Sequence, residues 1–156
     1  MRRWYFCVLF ILGIIFAGGY VLYRTSYFSV SDRIAGEFGS VSLMLEVART
    51  PKERGQGLSG RENLARNEGM LFAFKSEGTY GIWMKDTLIP LDIFWLDAQG
   101  AVIHLEKNVV PETYPNVFYS SIPARYVLET NAGFADENSI VVGTRLFLQN
   151  WPSVSE

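Results

Sequence analysis

The residues of this chain best suited to chemistry are charged side chains set among large apolar ones. The densest stretch runs from Trp83 to Asp97 and reads Trp-Met-Lys-Asp-Thr-Leu-Ile-Pro-Leu-Asp-Ile-Phe-Trp-Leu-Asp. Within it Asp92 lies in an apolar strand pattern, where taking a charge out of water is costly. This carboxylate therefore needs a structural partner, or else it serves a ligand or a reaction. The choice between these alternatives separates a scaffold from a functional site.

Structural partners for Asp92 are available in the sequence. Arg54 and Arg61 flank a glycine-rich turn, and a guanidinium can hold a carboxylate through two parallel hydrogen bonds. Backbone amides of a turn are the other structural choice. If an arginine pairs with Asp92, Lys85 is left as the cation available to a ligand, on the same side of an extended chain as Trp83.

These residues predict a shallow ligand-binding surface. A different hypothesis is hydrolysis by two carboxyl groups, with Asp92 and Glu129 dividing the acid and base roles. A third is a purely structural domain that holds partner proteins through its proline-rich loop. The candidate ligand-binding residues are Arg54, Arg61, Trp83, Lys85, Asp86, Thr87, Asp92 and Glu129.

The start of the chain predicts a membrane segment. Residues 4–23 contain no charged side chain, and as a helix of roughly 30 Å they would span a bilayer. Arg2 and Arg3 precede this run and outnumber Arg24 after it, so the N-terminus is predicted to be cytoplasmic and the rest extracytoplasmic. Residues 1–23 are therefore a predicted signal anchor, with a cleaved signal peptide ending near Ala17 as the alternative.

Composition limits the possible functions of the remaining chain. The whole chain has 14 basic and 16 acidic residues, and two of the basic ones are at positions 2 and 3, so the part after the span carries a net charge of −4 and no basic cluster. This argues against nucleic-acid binding. The single cysteine, Cys7, lies in the predicted span, and His104 is the only histidine, so we predict no disulfide, no metal site and no cofactor.

The elements that must position the candidate residues are mainly strands. Val41 to Ala48 alternates apolar and polar residues, and Thr50-Pro51-Lys52-Glu53 is a capping box that starts a short helix. Two apolar runs around Asp97-Ala98-Gln99-Gly100 predict a hairpin. Further strands are predicted over 70–74, 125–130 and 139–148, another helical turn over 61–67, a turn over 75–79 and a proline-rich loop over 107–124.

These elements amount to six or seven strands with one or two short helices. The sequence thus predicts a mainly β fold, a compact β-sandwich or distorted barrel, preceded by the transmembrane helix. The predicted organisation is a membrane segment over 1–23, a juxtamembrane linker over 24–39, a β domain over 40–150 and a short tail over 151–156.

Three strings of the chain are similar to a known protein family. They are Val47-Ala48-x-Thr50 with Arg54-x-x-Gly57-Leu58, Gly69-Met70-Leu71-Phe72-x-Phe74, and Trp83-Met84-Lys85-Asp86-Thr87-x-Ile89-Pro90-Leu91-Asp92. On these strings, and on Tyr126-Val127-Leu128-Glu129 with Gly133, the chain resembles domain-of-unknown-function family 192 across residues 41–148. The resemblance implies a small β-rich domain, commonly preceded by an export signal or membrane helix, and implies no particular reaction.

Two positions depart from the family pattern. Ser59 stands where the family usually has methionine, and Asp86 stands where it usually has asparagine. An acidic Asp86 beside Lys85 would pair with that lysine, whereas a position that accepts either residue would have a structural role. The sequence as a whole predicts a membrane-anchored, extracytoplasmic binding or accessory module, more a binding protein than an enzyme, whose ligand is an envelope glycan, peptide or protein.

Overall fold

The computed structural model describes residues 33–154, which form a mainly β domain with one seven-stranded sheet and two short helices. The strands are β1 Arg33–Phe38, β2 Val41–Ala48, β3 Glu68–Gly78, β4 Leu91–Leu96, β5 Val102–Val109, β6 Ala124–Asn131 and β7 Leu146–Leu148. The helices are α1 Pro51–Gln56 and α2 Phe134–Glu137, and a single 3-10 turn covers Pro111–Thr113.

The sheet is curled into a half-barrel. Its strand order is β5-β4-β6-β3-β2-β1-β7, and every neighbouring pair is antiparallel except β2 and β3. At one end the two edges approach each other, because Ala101, just before β5, bridges to Arg145, just before β7. A single curled sheet corrects the β-sandwich alternative and agrees in part with the distorted barrel.

Local signals in the sequence produce the predicted elements. The Thr50 hydroxyl accepts from the Glu53 amide, and the Glu53 carboxylate accepts from the Thr50 amide at 2.9 Å, so the capping box is confirmed. In the β4–β5 hairpin, Asp97 accepts from the amides of Gln99 and Ala101, and Gly100 adopts the left-handed conformation at φ 80°. The hairpin is therefore confirmed as well.

The sheet has a hydrophobic core on each face. Every residue of β4 is buried, which confirms that both faces of this strand are covered. Core one contains alternate residues of β2, β4 and β6 and is completed by α2: Phe38, Leu43, Leu45, Leu71, Phe94, Leu96, Leu128 and Phe134 are among its members. Core two, on the opposite face, includes Leu58, Met70, Phe72, Ile82, Met84, Ile93, Trp95 and Val127.

Several predicted boundaries differ from those in the structure. β1 lies inside the predicted linker, because it pairs with β2 on one side and β7 on the other, a long-range stabilisation that no local pattern reveals. Residues 61–67 form no helix, and β3 continues through the predicted turn at 75–78. Of the predicted strand over 139–148, only β7 forms, since turns occupy the residues before it.

The predicted membrane span and signal anchor lie outside the described residues. Among residues 33–154, neither helix has the length or the apolar character needed to cross a bilayer.

Candidate functional site

Asp92 is fully buried on the core-one face of the sheet and is held by backbone amides. One carboxylate oxygen accepts from the amide of Asn108 and the other from the amide of Ala135, both at 2.8 Å. The Ala135 amide belongs to the first turn of α2, where amides have no acceptor within the helix. Asp92 thus fastens the end of β5 and the start of α2 to β4, and it is a structural group.

The predicted pairing of Asp92 with an arginine is wrong, because both arginines are engaged on other partners. Arg61 makes two hydrogen bonds to the Glu46 carboxylate, at 2.9 and 2.5 Å. Arg54 donates to the carbonyl of Ala73 at 3.0 Å and to the carbonyl of Arg49. The Arg61–Glu46 contact is a partly buried ion pair. The hydrogen bonds of Arg54 connect α1 to the ends of β2 and β3.

Glu129 lies on the opposite face of the sheet from Asp92. In the β4–β6 ladder Asp92 is opposite Thr130, and Glu129 is opposite Ile93, so the two carboxylates alternate to different faces. A pair of carboxyl groups that attacks one bond must face one space. The proposed division of acid and base roles between Asp92 and Glu129 is therefore wrong.

Glu129 is a buried carboxyl group without a hydrogen-bond partner among the described residues. The residue is 5% exposed, and its cross-strand neighbours Met70 and Ile93 carry no charge. Burial raises the pKa of Glu129 from 4.5 to about 8, although the nearby Arg61 acts in the lowering direction. Glu129 is consequently a neutral carboxylic acid at pH 7.

A small cleft opens above Glu129. Its volume is about 70 Å³, enough for one small functional group. Three parts of the chain form it: the end of α1 with the turn that follows, the segment between β3 and β4, and the sheet beneath. The lining residues are Arg54, Gly55, Gln56, Gly57, Leu58, Ser59, Phe72, Gly81, Ile82, Trp83, Lys85, Thr87 and Glu129.

A tight turn positions Lys85 at this cleft. The amide of Thr87 donates to the carbonyl of Met84, and the Ser59 hydroxyl donates to the carbonyl of Lys85 at 2.9 Å. The amide of Gly60 also donates to the carbonyl of Asp86, so the two connections that form the cleft are joined directly. Core two contains Met84, and its burial fixes the turn to the sheet.

Asp86 has a backbone role in this turn. Its φ is 55°, in the left-handed region that asparagine and aspartate tolerate better than other side chains with a Cβ. The predicted Asp86–Lys85 ion pair does not form, and no described residue pairs with the Lys85 ammonium. The acidic residue at this position therefore leaves the lysine available.

An aromatic surface borders the cleft. Ile82 bridges to Phe118 of the proline-rich loop, which turns Trp83 outward with 51% of its surface exposed. Tyr119, 53% exposed, lies against Gly81, where a Cβ would come within 2.6 Å of the tyrosine ring. Glycine at 81 thus allows the loop to approach, and the exposed Tyr119 lies against a glycine that lines the cleft.

The structure brings together five of the eight predicted site residues. Asp86 is in the adjoining turn, Arg61 acts on Glu129 electrostatically, and Asp92 is on the other face of the sheet. Sequence reasoning missed Ser59 and Phe72 as site residues; Phe72 lies within a family-like string, and Ser59 directly follows one. Within residues 33–154 no cluster of acidic, histidine or cysteine side chains could hold a metal ion. The five that line the cleft are Arg54, Trp83, Lys85, Thr87 and Glu129.

A curled, mainly β sheet with a small cleft at its outer face defines the structural class of this domain. The chain belongs to domain-of-unknown-function family 192, described as Uncharacterized ACR, whose profile matches residues 33–148. The recognition made from the sequence motifs is thereby confirmed. No curated protein matches the chain.

Two solved structures are similar to it. One, from Sinorhizobium meliloti 1021, is described as a proposed transcription regulator; it is 30% identical, with a TM-score of 0.72, over 76% of this chain and 95% of its own. The other, a protein of unknown function from Novosphingobium aromaticivorans DSM 12444, is 28% identical, with a TM-score of 0.70, over 74% of this chain and 84% of its own. Both support the fold and neither supplies a reaction.

Proposed function

We propose that this domain is a binding module that takes a ligand in the Glu129 cleft, with the aromatic pair Trp83 and Tyr119 contacting the part that remains outside. We further propose that residues 4–23 anchor it to a membrane and that the domain works on the extracytoplasmic side. An envelope glycan or peptide is the ligand class that fits this location.

One observation carries the proposal: Glu129 is buried at the base of an open cleft and accepts no hydrogen bond from a described residue. Among residues 33–154 every fully buried side-chain nitrogen or oxygen has a hydrogen-bond partner, so the Glu129 carboxyl oxygens, which have none, must reach the cleft. A ligand with a matching polar group could therefore hydrogen-bond to this carboxyl group. The Lys85 ammonium, also without a partner among residues 33–154, supplies a second polar contact.

Binding is favoured over hydrolysis by a carboxyl pair because the described lining of the cleft offers only one carboxyl group. Among the described residues that line it, Glu129 is the only acidic one, and none is a histidine or a cysteine. Catalysis by a carboxyl pair requires two such groups around one bond. The exposed Trp83 offers instead a flat apolar face on which a sugar ring or a peptide group can pack.

Calorimetric titration tests the proposal. The full chain, in a mild nonionic detergent, is titrated with chitotetraose and with soluble disaccharide-peptides from digested peptidoglycan. Lys85→Ala should weaken binding of the better ligand at least about tenfold, because a charge-assisted contact is lost. Lys52→Ala is the matched control, since Lys52 is an exposed lysine outside the cleft.

A second pair of variants examines the aromatic surface. Trp83→Ala should weaken binding, whereas Phe147→Ala should not, although Phe147 is exposed to a similar extent, at 59%. Equal binding by wild type, Lys85→Ala and Trp83→Ala would show that the cleft is not the binding site. A domain that only holds partner proteins through its proline-rich loop would bind neither probe.

A further inference from the structure

The charge of the cleft indicates which ligands it prefers. Its lining contains two cationic side chains, Arg54 and Lys85, and one acidic side chain, Glu129. The Arg54 guanidinium is fixed by carbonyl groups and lies 4.9 Å from the Phe74 ring centre, so its charge stays in place without being neutralised. Lys85 has no acidic partner among the described residues.

The protonation of Glu129 increases the excess of positive charge in the cleft. With its pKa raised to about 8 by burial, the carboxyl group is neutral at pH 7 and carries a proton that it can donate. The charged group that influences it is Arg61, whose own charge is balanced by Glu46. At neutral pH the described lining therefore has two cationic residues and no anionic one, and the Glu129 carboxyl group supplies a hydroxyl donor.

The size of the cleft adds a geometric limit. A cavity of about 70 Å³ accepts a single small group, whereas a whole sugar ring would remain outside against Trp83. The ligand group inside must therefore be compact, must accept hydrogen bonds and must tolerate or carry negative charge.

We infer that the cleft binds a compact oxyanion, a carboxylate or phosphate group at one end of the ligand, between the Lys85 ammonium and the Glu129 carboxyl group. This inference rests on the proposed binding function and specifies its ligand chemistry. The carboxyl group donates its proton in a hydrogen bond, the ammonium supplies the compensating charge, and the rest of the ligand packs on Trp83. No covalent bond forms or breaks.

Matched pairs of probes test this chemistry on the full chain in detergent. The first pair is N-acetyl-alanyl-alanine and its C-terminal amide, which differ only in the carboxylate. The second is glucose 6-phosphate and glucose, which differ only in the phosphate. We expect at least one acidic probe to bind at least about tenfold more tightly than its neutral counterpart, and the stronger pair identifies the oxyanion.

The dependence on pH distinguishes a neutral Glu129 donor from a simple charge attraction. Binding of N-acetyl-alanyl-alanine should be constant from pH 6 to about 8 and then fall toward tenfold per pH unit, as Glu129 loses its proton and repels the carboxylate. Glu129→Gln should bind about threefold more weakly at pH 6, because an amide is a weaker donor. The same variant should lose the fall above pH 8.

The outcomes separate this inference from the function on which it rests. If the protein binds only chitotetraose or the neutral probes, and Lys85→Ala still weakens that binding, the oxyanion inference is wrong. The proposed binding function would nevertheless remain supported. Affinity for the acidic probe that rises above pH 8 would also overturn it, since an ionised Glu129 would then be the favourable form. Absence of binding by every probe would overturn both.

Discussion

Asp92 on β4 and Glu129 on the neighbouring strand β6 are two buried carboxyl groups on opposite faces of the sheet, and they differ in their hydrogen bonding. Asp92, facing core one, accepts two backbone hydrogen bonds of 2.8 Å, whereas Glu129, facing core two, accepts none from a described residue. Both are at most 5% exposed. The difference shows that burial alone does not distinguish a carboxyl group that the protein satisfies from one that is left available to a ligand.

The largest expected contrast is in how stability depends on pH. Because the pKa of Glu129 is 4.5 unfolded and about 8 folded, ionising it disfavours the folded state. Its contribution is fully present below pH 4.5 and is lost progressively up to pH 8, by at most about 5 kcal/mol. Urea denaturation should show the unfolding free energy of wild type falling relative to Glu129→Gln across this range. A constant difference between the two proteins would contradict a buried, neutral Glu129.

The next largest effect concerns Asp92. Asp92→Asn replaces an acceptor oxygen with an amide group that cannot accept from one of the two backbone amides. We expect a loss of about 3 kcal/mol in unfolding free energy at pH 7, measured by urea denaturation, because hydrogen bonds to charged groups are worth about 1.5–3 kcal/mol each. Asp136→Asn is the control, since its ion pair with Lys107 is exposed and should contribute under about 1 kcal/mol. Equal stability of the Asp92 variant and the wild type would show that Asp92 has no structural role.

A smaller change should follow from altering the charge near Glu129. Arg61→Met removes the guanidinium that lowers the pKa of Glu129, so that pKa should rise further above 8. The side-chain carboxyl signal of Glu129, followed by carbon NMR from pH 5 to 10, measures this directly. Arg66→Met is the matched control, because Arg66 is paired with Glu137 at the surface. An unmoved titration in the Arg61 variant would show that burial alone governs Glu129.

The smallest expected effect tests the turn beside the cleft. Asp86→Asn should leave stability within about 0.5 kcal/mol, because asparagine tolerates the left-handed conformation equally well. Asp86→Ala should lower the free energy of unfolding by about 1 kcal/mol, because alanine tolerates the left-handed conformation less well. Thermal unfolding of the two variants compares them. A larger loss for asparagine than for alanine would mean that the carboxylate, and not the backbone, is what matters here.

Sequence reasoning succeeded where the cause was local. The Thr50–Glu53 capping box and the hairpin around Gly100 depend on neighbouring residues, and both are confirmed. The partners of Asp92 are backbone amides 16 and 43 residues away, and backbone amides have no signature in a sequence. The sequence therefore left arginine and backbone amides as alternative partners, and amides are the ones that hold Asp92.

Strand register explains why the candidate site was predicted only in part. Trp83 and Lys85 both line the cleft because one short segment carries both. Asp92 and Glu129 were combined although their strands, once paired, direct them to different faces. That outcome depends on a pairing between β4 and β6, and a shift of one residue would have reversed it.

The parallel pairing of β2 with β3 has a consequence for how easily the cleft can be altered. Parallel neighbours cannot be joined by a tight turn, so the chain crosses over the sheet between them, and this crossover forms one wall of the cleft. Connections tolerate insertions and substitutions that a sheet does not. Substitutions in the crossover of this chain would therefore reshape one wall of the cleft while leaving the strands and the buried Glu129 beneath it in place.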